Sequence, residues 1–310
     1  MTGEEQQPAD DMRGKSVLIT GANSGIGFEA AKQLARRGAA IVMVCRDAAR
    51  GLAARKEIAR LAIGAAPALL LADLSSEASI RALVSEIRQI YPQIDVLINN
   101  AGGVFAKREL SVDGIEKTFA TNCLAPFLLT HLLLDRLGAA PAGRIVNIAS
   151  ALHKADASFI DDLQCQKRYR FLLAYKFSKL GVILMIYEMA RRLKDSRVTV
   201  NCVEPGPTRT RFGDNMRGLS ALFPALMKRM PFFKTAAESA RAIVFLASSP
   251  ALARTTGQYF VKSKPTRSAP ITHDRTVAAR HWEKLTELRD AQPTGAAESR
   301  QSQPTTMRAR

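Results

Sequence analysis

The segment AYKFSK, residues 174–179, sets a tyrosine and a lysine four residues apart in an otherwise oily stretch. On a helix, positions i and i+4 share a face, so Tyr175 and Lys179 would converge on one small volume. A free phenol titrates near ~10 and is a poor base at neutral pH, whereas a fixed ammonium nearby favours the phenolate. A working base needs about 3 to 4 kcal/mol of such help from neighbouring cations. The same pair also fits a bland reading, a half-buried phenol with an amine snorkelling past it. Spacing alone does not choose, so the surrounding elements have to.

Directly after a first apolar run, SVLIT (16–20), comes TGANSGIG (20–27), opening a segment of helical spacing. Gly21, Gly25 and Gly27 would let the backbone turn sharply and approach a pyrophosphate, whose charge then rests on free amides at a helix N-terminus. Asn23, Ser24 and Ile26 belong to the same cradle. The spacing is GxxxGxG and departs from the GxGxxG fingerprint. The second run, AIVMVC (40–45), ends at Arg46, 19 residues beyond Gly27. An acidic residue there would take a ribose 2′-hydroxyl; a guanidinium suits a 2′-phosphate, which points to NADP, with NAD second. Asp47 reads as the N-cap of the next helix.

Further near-continuous apolar runs follow at ALLLA (68–72), DVLIN (95–99), RIVNIA (144–149), VTVNCV (198–203) and QYFV (258–261), each but the last followed by a longer segment. Such runs suit strands covered on both faces. Strand and helix in alternation predict one α/β domain of the Rossmann type: a doubly wound, mostly parallel seven-stranded sheet with helices on both faces. The rhythm covers residues 14 to about 265 and the domain is taken as 14–290. Residues 1–13 and 291–310, polar and without a periodic apolar face, are expected to be disordered.

Of 310 residues, 47% are hydrophobic, enough for a sizeable core, and the net charge of +17 favours anionic partners. The basic residues are scattered and not interleaved with aromatics, so no nucleic-acid surface is expected. Four cysteines without a CxxC pairing predict neither structural disulfides nor a metal site. The polar start lacks a secretory pattern, and LGVILMIYEMA (180–190) is too short to span a bilayer, so a cytoplasmic protein is expected.

TGANSGIG, NNAG (99–102), YKFSK (175–179) and PG (205–206) stand in this order in one chain. Together they resemble the short-chain dehydrogenase/reductase superfamily over roughly residues 14–265. VCRDAARG (44–51), RIVNIASALH (144–153), EMARRLK (188–194) and GQYFVKSKPT (257–266) are similar to its retinol dehydrogenase-like branch. The resemblance implies an NADP(H)-dependent oxidoreductase that interconverts an alcohol and a carbonyl. Tyr175 would be the general acid/base and Lys179 its electrostatic partner and ribose ligand. Ser150 would hold the substrate oxygen, and Asn122 would support a proton-relay water. Asp73 and Leu74 would flank the adenine, while Asn100, Ala101 and Gly102 line the ribose side. Pro205, Gly206 and Thr210 would frame the nicotinamide. Departures are the single serine of NIAS, Thr208 in place of a branched aliphatic, and a gap of 25 residues from Ser150 to Tyr175.

RGLSALFPALMKRMPFFK (217–234) is apolar with basic residues between, and its counterpart in the superfamily covers the substrate. It implies a small lipophilic alcohol or carbonyl such as a retinoid, steroid or long-chain aldehyde; it could equally rest on an anionic membrane surface or pack on the core. Other function classes are a YxxxK sugar-nucleotide epimerase or dehydratase, disfavoured by the short C-terminal region, and a non-catalytic NADP-binding protein, disfavoured by the complete Asn, Ser, Tyr and Lys set. His131 and His153 read as packing histidines, and Cys165 takes no role. Monomer or homodimer stays undecided.

Overall fold

A computed structural model describes residues 11–208 and 233–290 of the chain. The elements run β1 (Ser16–Thr20), α1 (Gly25–Ala35), β2 (Ala40–Cys45), α2 (Ala48–Ala59), β3 (Ala68–Leu71), α3 (Glu77–Ile90) and β4 (Val96–Asn99). A broken helix follows, with α4 (Lys117–Phe119), a π turn (Ala120–Leu124), α5 (Ala125–Leu132) and α6 (Leu134–Ala139). Then come β5 (Arg144–Ile148), α7 (Phe171–Arg192), β6 (Thr199–Glu204), α8 (Ala236–Ser248), β7 (Tyr259–Val261), β8 (Lys264–Pro265) and α9 (Arg275–Asp290).

The strands form one sheet in the order β3-β2-β1-β4-β5-β6-β7-β8, parallel throughout except for the antiparallel β7–β8 pair. The order reverses between β1 and β4, the kind of switch point beyond whose strand ends open α/β sheets bind ligands. Seven strands match the apolar runs to within a residue at either end. The eighth is two residues long, too short for any periodicity to betray it, and follows a turn in which Lys262 takes φ 58°.

Alternation along the strands divides the core in two. Val17, Ile19, Ile41 and Met43 face one side with Leu34, Ile58 and Ile243 of α1, α2 and α8. Leu18, Val42 and Val44 face the other with α3, α5 and α7. Each helix reads from its sequence: α3 buries Ile80, Leu83, Val84 and Ile87, an i, i+3, i+4, i+7 stripe, behind an Ser76 N-cap. Asp47 caps α2, its carboxylate accepting from the Arg50 amide at 2.9 Å. Thr235 and Glu238 close a capping box at α8.

Near the N-terminus one residue departs from expectation. Met12, read as part of a disordered tail, is 5% exposed and its amide donates to the Arg37 carbonyl at 2.9 Å, so this residue packs on the domain. At the other end α9 packs against α7, burying Val277, Ala278, His281 and Leu285. This cover is why α7 is apolar nearly all round. Residues 217–232 of the oily segment, the tails 1–10 and 291–310, and Thr210 lie outside the described residues.

Candidate active site

At the end of β1 the buried Thr20 hydroxyl accepts the amides of Asn100 and Ala101, both at 3.0 Å. Asn100 in return donates its side-chain amide to the Thr20 carbonyl at 2.8 Å and towards that of Gly21 at 3.3 Å. The glycine turn is thereby clamped to the end of β4. Gly21 and Gly25 adopt φ 68° and 60°, conformations that other residues resist. Gly27 is needed for room: a Cβ there would stand 2.2 Å from Asn100 Nδ2 and 2.7 Å from the Gly21 carbonyl oxygen. Asn23, Ser24, Gly25 and Ile26 are half-buried around the helix start. Ser24 holds the N-cap position but its hydroxyl makes no cap bond, and no acidic side chain occupies the first turn. Amide donors and room for a close approach fit a pyrophosphate. Asn100, expected along the ribose, is thus also the brace beneath the turn, and Thr20, with no motif of its own, is its partner.

Arg46 is exposed at the end of β2. Its charge reaches Asp73, whose carboxyl burial alone would push up; bonds from the Ser75 amide and hydroxyl, with Arg46 and Lys117, outweigh burial and hold it below the usual range. Leu74 packs on the α3 side of the core. Arg46, Asp73 and Leu74 therefore gather at one rim, beside the glycine turn.

The second half of the site is built on β5, the π turn and α7. Ser150 follows β5 and caps a short 3-10 turn, Ala151–His153, its hydroxyl accepting the Leu152 amide at 3.2 Å. The Ser150 hydroxyl acts on the Tyr175 phenol and pulls against the effect of its burial. One turn on, Lys179 is 5% exposed and donates to the Ile148 carbonyl at 2.7 Å, its Nζ 5.8 Å from the centre of the Tyr175 ring. Asn122 sits in the π turn, an irregularity common at functional sites. Its side chain accepts from the Gly103 amide (2.8 Å) and donates to the Gly103 carbonyl (3.0 Å) and to Ser178 (3.1 Å), whose hydroxyl donates to the Tyr175 carbonyl (2.8 Å). Ser178 is a link that no motif announced. Gly102 lies close by, an added Cβ meeting Asn122 Oδ1 at 3.2 Å.

Electrostatics in the chain itself differ from the simple expectation for the pair. Burial pushes the Tyr175 phenol up to about 12, relieved in part by Ser150 and reinforced by Glu204. Burial also pulls the Lys179 amine down to about 8. Desolvation dominates at both groups, so the phenol keeps its proton at neutral pH.

After β6, Pro205 is buried and Gly206 takes φ 86°. Thr208 explains its own departure from the family pattern: its hydroxyl donates to the Gly206 carbonyl at 2.9 Å and meets the buried Ser239 hydroxyl at 2.6 Å, pinning the loop to α8. The long gap before Tyr175 folds as a wall, with Tyr169 donating to the Phe105 carbonyl at 2.7 Å and the Gln164 side chain accepting the Glu116 amide at 3.1 Å. Cys165 in that wall is buried with φ 50°, and burial pushes its thiol up to about 12, which leaves it inert. His131 stacks on Phe127 at 6.0 Å and meets Arg289, a packing role.

Residues 15–218 match the short chain dehydrogenase family model. The chain belongs to the short-chain dehydrogenase family. Within it the chain is retinol dehydrogenase-like: human retinol dehydrogenase 14 is 39% identical over 291 residues, covering 88% of this chain and 85% of the relative. A crystal structure of a Mycobacterium paratuberculosis protein superposes with a TM-score of 0.71 at 28% identity, covering 91% of this chain and 96% of that one. An Escherichia coli CFT073 chain solved with NADPH gives a TM-score of 0.65 at 26% identity, covering 83% and 100%. Membership makes this short-chain dehydrogenase an oxidoreductase of alcohols and carbonyls that works with a nicotinamide cofactor.

Proposed function

We propose that the chain is an NADP(H)-dependent oxidoreductase that interconverts a lipophilic alcohol and its carbonyl, with Tyr175 as general acid/base. What carries this reading is the Ser150 hydroxyl acting on the buried Tyr175 phenol, with the buried Lys179 ammonium over the tyrosine ring. The preference for the phosphorylated cofactor rests on Arg46 at the rim shared with Asp73, and an NADPH-bound relative of similar fold supports it. The lipophilic substrate rests on the oily segment and on the retinol dehydrogenase names among the relatives.

The cofactor would lie along Gly21–Gly27, Asp73–Leu74, Asn100–Gly102, Lys179, Pro205, Gly206 and Thr210, and when bound it supplies the hydride chemistry. Ser150 and Tyr175 grip the substrate oxygen with two hydroxyls, which fixes the reacting carbon. A phenol pushed up to about 12 is protonated at neutral pH and gives its proton to a carbonyl oxygen; in the reverse direction the Tyr175 oxygen takes it from the alcohol. Lys179 offsets the negative charge left on the phenol oxygen. Asn122 holds the π turn against Gly103 and, through Ser178, the start of α7. A cytoplasmic location, contact with an anionic membrane surface through 217–234, and monomer or homodimer assembly complete the proposal; among the described residues no helix is long and apolar enough to cross a membrane.

The test is a panel of retinoids, steroids, aldehydes and sugar ketones assayed with NADPH and NADH side by side, for wild type and Tyr175→Phe. Expected is turnover of apolar carbonyls, faster with NADPH, and a loss of about 10²- to 10⁴-fold in the variant. Near wild-type turnover in Tyr175→Phe would falsify the acid/base role, and equal turnover with NADH removes the role given to Arg46.

A further inference from the structure

His153 is buried, 3% exposed, three residues after Ser150, and the catalytic proposal leaves it without work. Its ring makes two bonds to backbone. Nδ1 lies 2.7 Å from the Ser150 carbonyl oxygen, and Nε2 receives the Ala269 amide at 3.0 Å. An amide N–H can only donate, so Nε2 carries the lone pair and Nδ1 the proton, which the Ser150 carbonyl accepts. The ring also leans on Tyr259, centroids 5.2 Å apart at 57°.

Ala269 is itself fastened. The Tyr187 hydroxyl, on the same helix as Tyr175, bonds to Ser268 at 2.7 Å, and Ser268 bonds to Thr272 at 2.6 Å. A chain of contacts results: α7 holds Ser268, the Ala269 amide holds His153, His153 holds the Ser150 carbonyl, and the Ser150 hydroxyl acts on Tyr175 of α7.

We infer that His153 is a positioning residue for Ser150, a strut in its neutral Nδ1–H form that hangs the serine's backbone from the 268–272 segment. The inference rests on the catalytic role proposed for Ser150. Protonation of the ring would put a donor against the Ala269 donor and break the strut. Burial holds the imidazole below its ordinary value, opposed by the Ser150 carbonyl and Glu204 of β6, and assisted by Lys154 next to it. Tyr259 of β7 leans on the ring with its hydroxyl committed to Glu204, while Tyr187 of α7 and His273 bond to Ser268, next to Ala269. The strut therefore holds through neutral pH and fails on the acid side, below the ordinary histidine range.

The experiment compares wild type, His153→Asn, His153→Phe and Ser150→Ala in kcat, KM and thermal midpoint from pH 5 to 9, with NADPH and an apolar carbonyl. It adds the nitrogen-15 spectrum of the ring in wild type, tractable in a chain with four histidines. Expected are an Nδ1–H tautomer and a kcat loss of about tenfold or more in His153→Phe at a nearly unchanged KM, since a small misplacement of a catalytic group is costly. In His153→Asn, whose amide can stand where Nδ1 stands, most of that kcat should return, with a shallower acid limb. An Nε2–H tautomer, a His153→Phe kcat within twofold of wild type, or an Asn variant no better than Phe overturns the strut. Should His153→Phe fail to fold, the tautomer and the Asn variant decide. An active Ser150→Ala removes the role of Ser150 itself; an inactive Ser150→Ala beside an unimpaired His153→Phe removes the strut alone.

Discussion

Lys179 is a charge that the fold must hold out of water. Its amine sits at about 8 where a free one sits at 10.5, because burial penalises the ammonium more than its bond to the Ile148 carbonyl compensates. The native state thus binds this proton less tightly than the unfolded chain does. Stability then rises with pH between about 8 and 10.5, and at pH 7 the whole penalty is present. Lys179→Met keeps the apolar stem and removes the charge. At pH 7 it is expected to raise unfolding free energy by about 1–3 kcal/mol, a gain that shrinks towards pH 10.5, while turnover falls at least ~100-fold. Urea unfolding at pH 7 and 10 together with the NADPH assay reads both halves; a variant less stable than wild type at pH 7 contradicts the account. Stability and activity are opposed here at one side chain.

At the scale of elements, the glycine turn works because three segments interlock. Gly27→Ala would drive a methyl to 2.2 Å from Asn100 Nδ2, and that amide cannot yield, being committed to the Thr20 carbonyl at 2.8 Å. A loss of about 1–3 kcal/mol in stability and at least tenfold in NADPH affinity is expected. Gly138→Ala, in α6 with nothing within 4 Å of an added Cβ, is the control, expected to be neutral or up to about 1 kcal/mol stabilising. Calorimetric titration with NADPH and a thermal melt measure the contrast; equal behaviour of the two alanines refutes the packing role. The spacing TGANSGIG made this turn legible, since glycine at a strand end has few other uses. The brace beneath it was not legible. Thr20 and Asn100 meet across 80 residues of sequence, and only the parallel pairing of β1 with β4 brings them together. The same holds for His153 and Ala269, for Asn122 and Ser178, and for Thr208 and Ser239. Local motifs announce residues whose work is local; partners joined by topology leave no spacing to read.

For the whole molecule, the apolar runs were long enough to give the sheet and its two helical layers, whereas the closure by α9 went unread because its sequence is mostly polar. Val277, Ala278, His281 and Leu285 are buried, and Trp282 and Leu288 pack partly buried against the core. The contact is specific. Gly181, two residues beyond Lys179, leaves space that a Cβ would fill to within 2.9 Å of both Cys123 Sγ and His281 Nε2. His281 is fully buried, its Nδ1 without a hydrogen-bond partner among the described residues, and Trp282 beside it stands edge-on to Phe127 at 5.0 Å with the Arg192 guanidinium over its ring. Burial pulls the His281 imidazole down to about 4 from an ordinary 6.5. The unfolded chain therefore takes up this proton first as the pH falls. The ring's contribution is intact above 6.5 and drains away towards about 4, amounting to about 2–3 kcal/mol by the end of that window. Because α9 lies on the helix that carries Tyr175 and Lys179, acid should loosen the cover and the site together. His281→Met removes the titration and keeps an apolar group of adaptable shape. Whatever its stability at pH 7.5, its unfolding free energy should fall less steeply than that of wild type between pH 6.5 and 4.5, and acid inactivation should shift downward with it. Parallel stability curves for the two proteins would show that this imidazole does not drive the acid response, and the loss would then belong to carboxylates such as Asp73 and Glu188, held low by their partners.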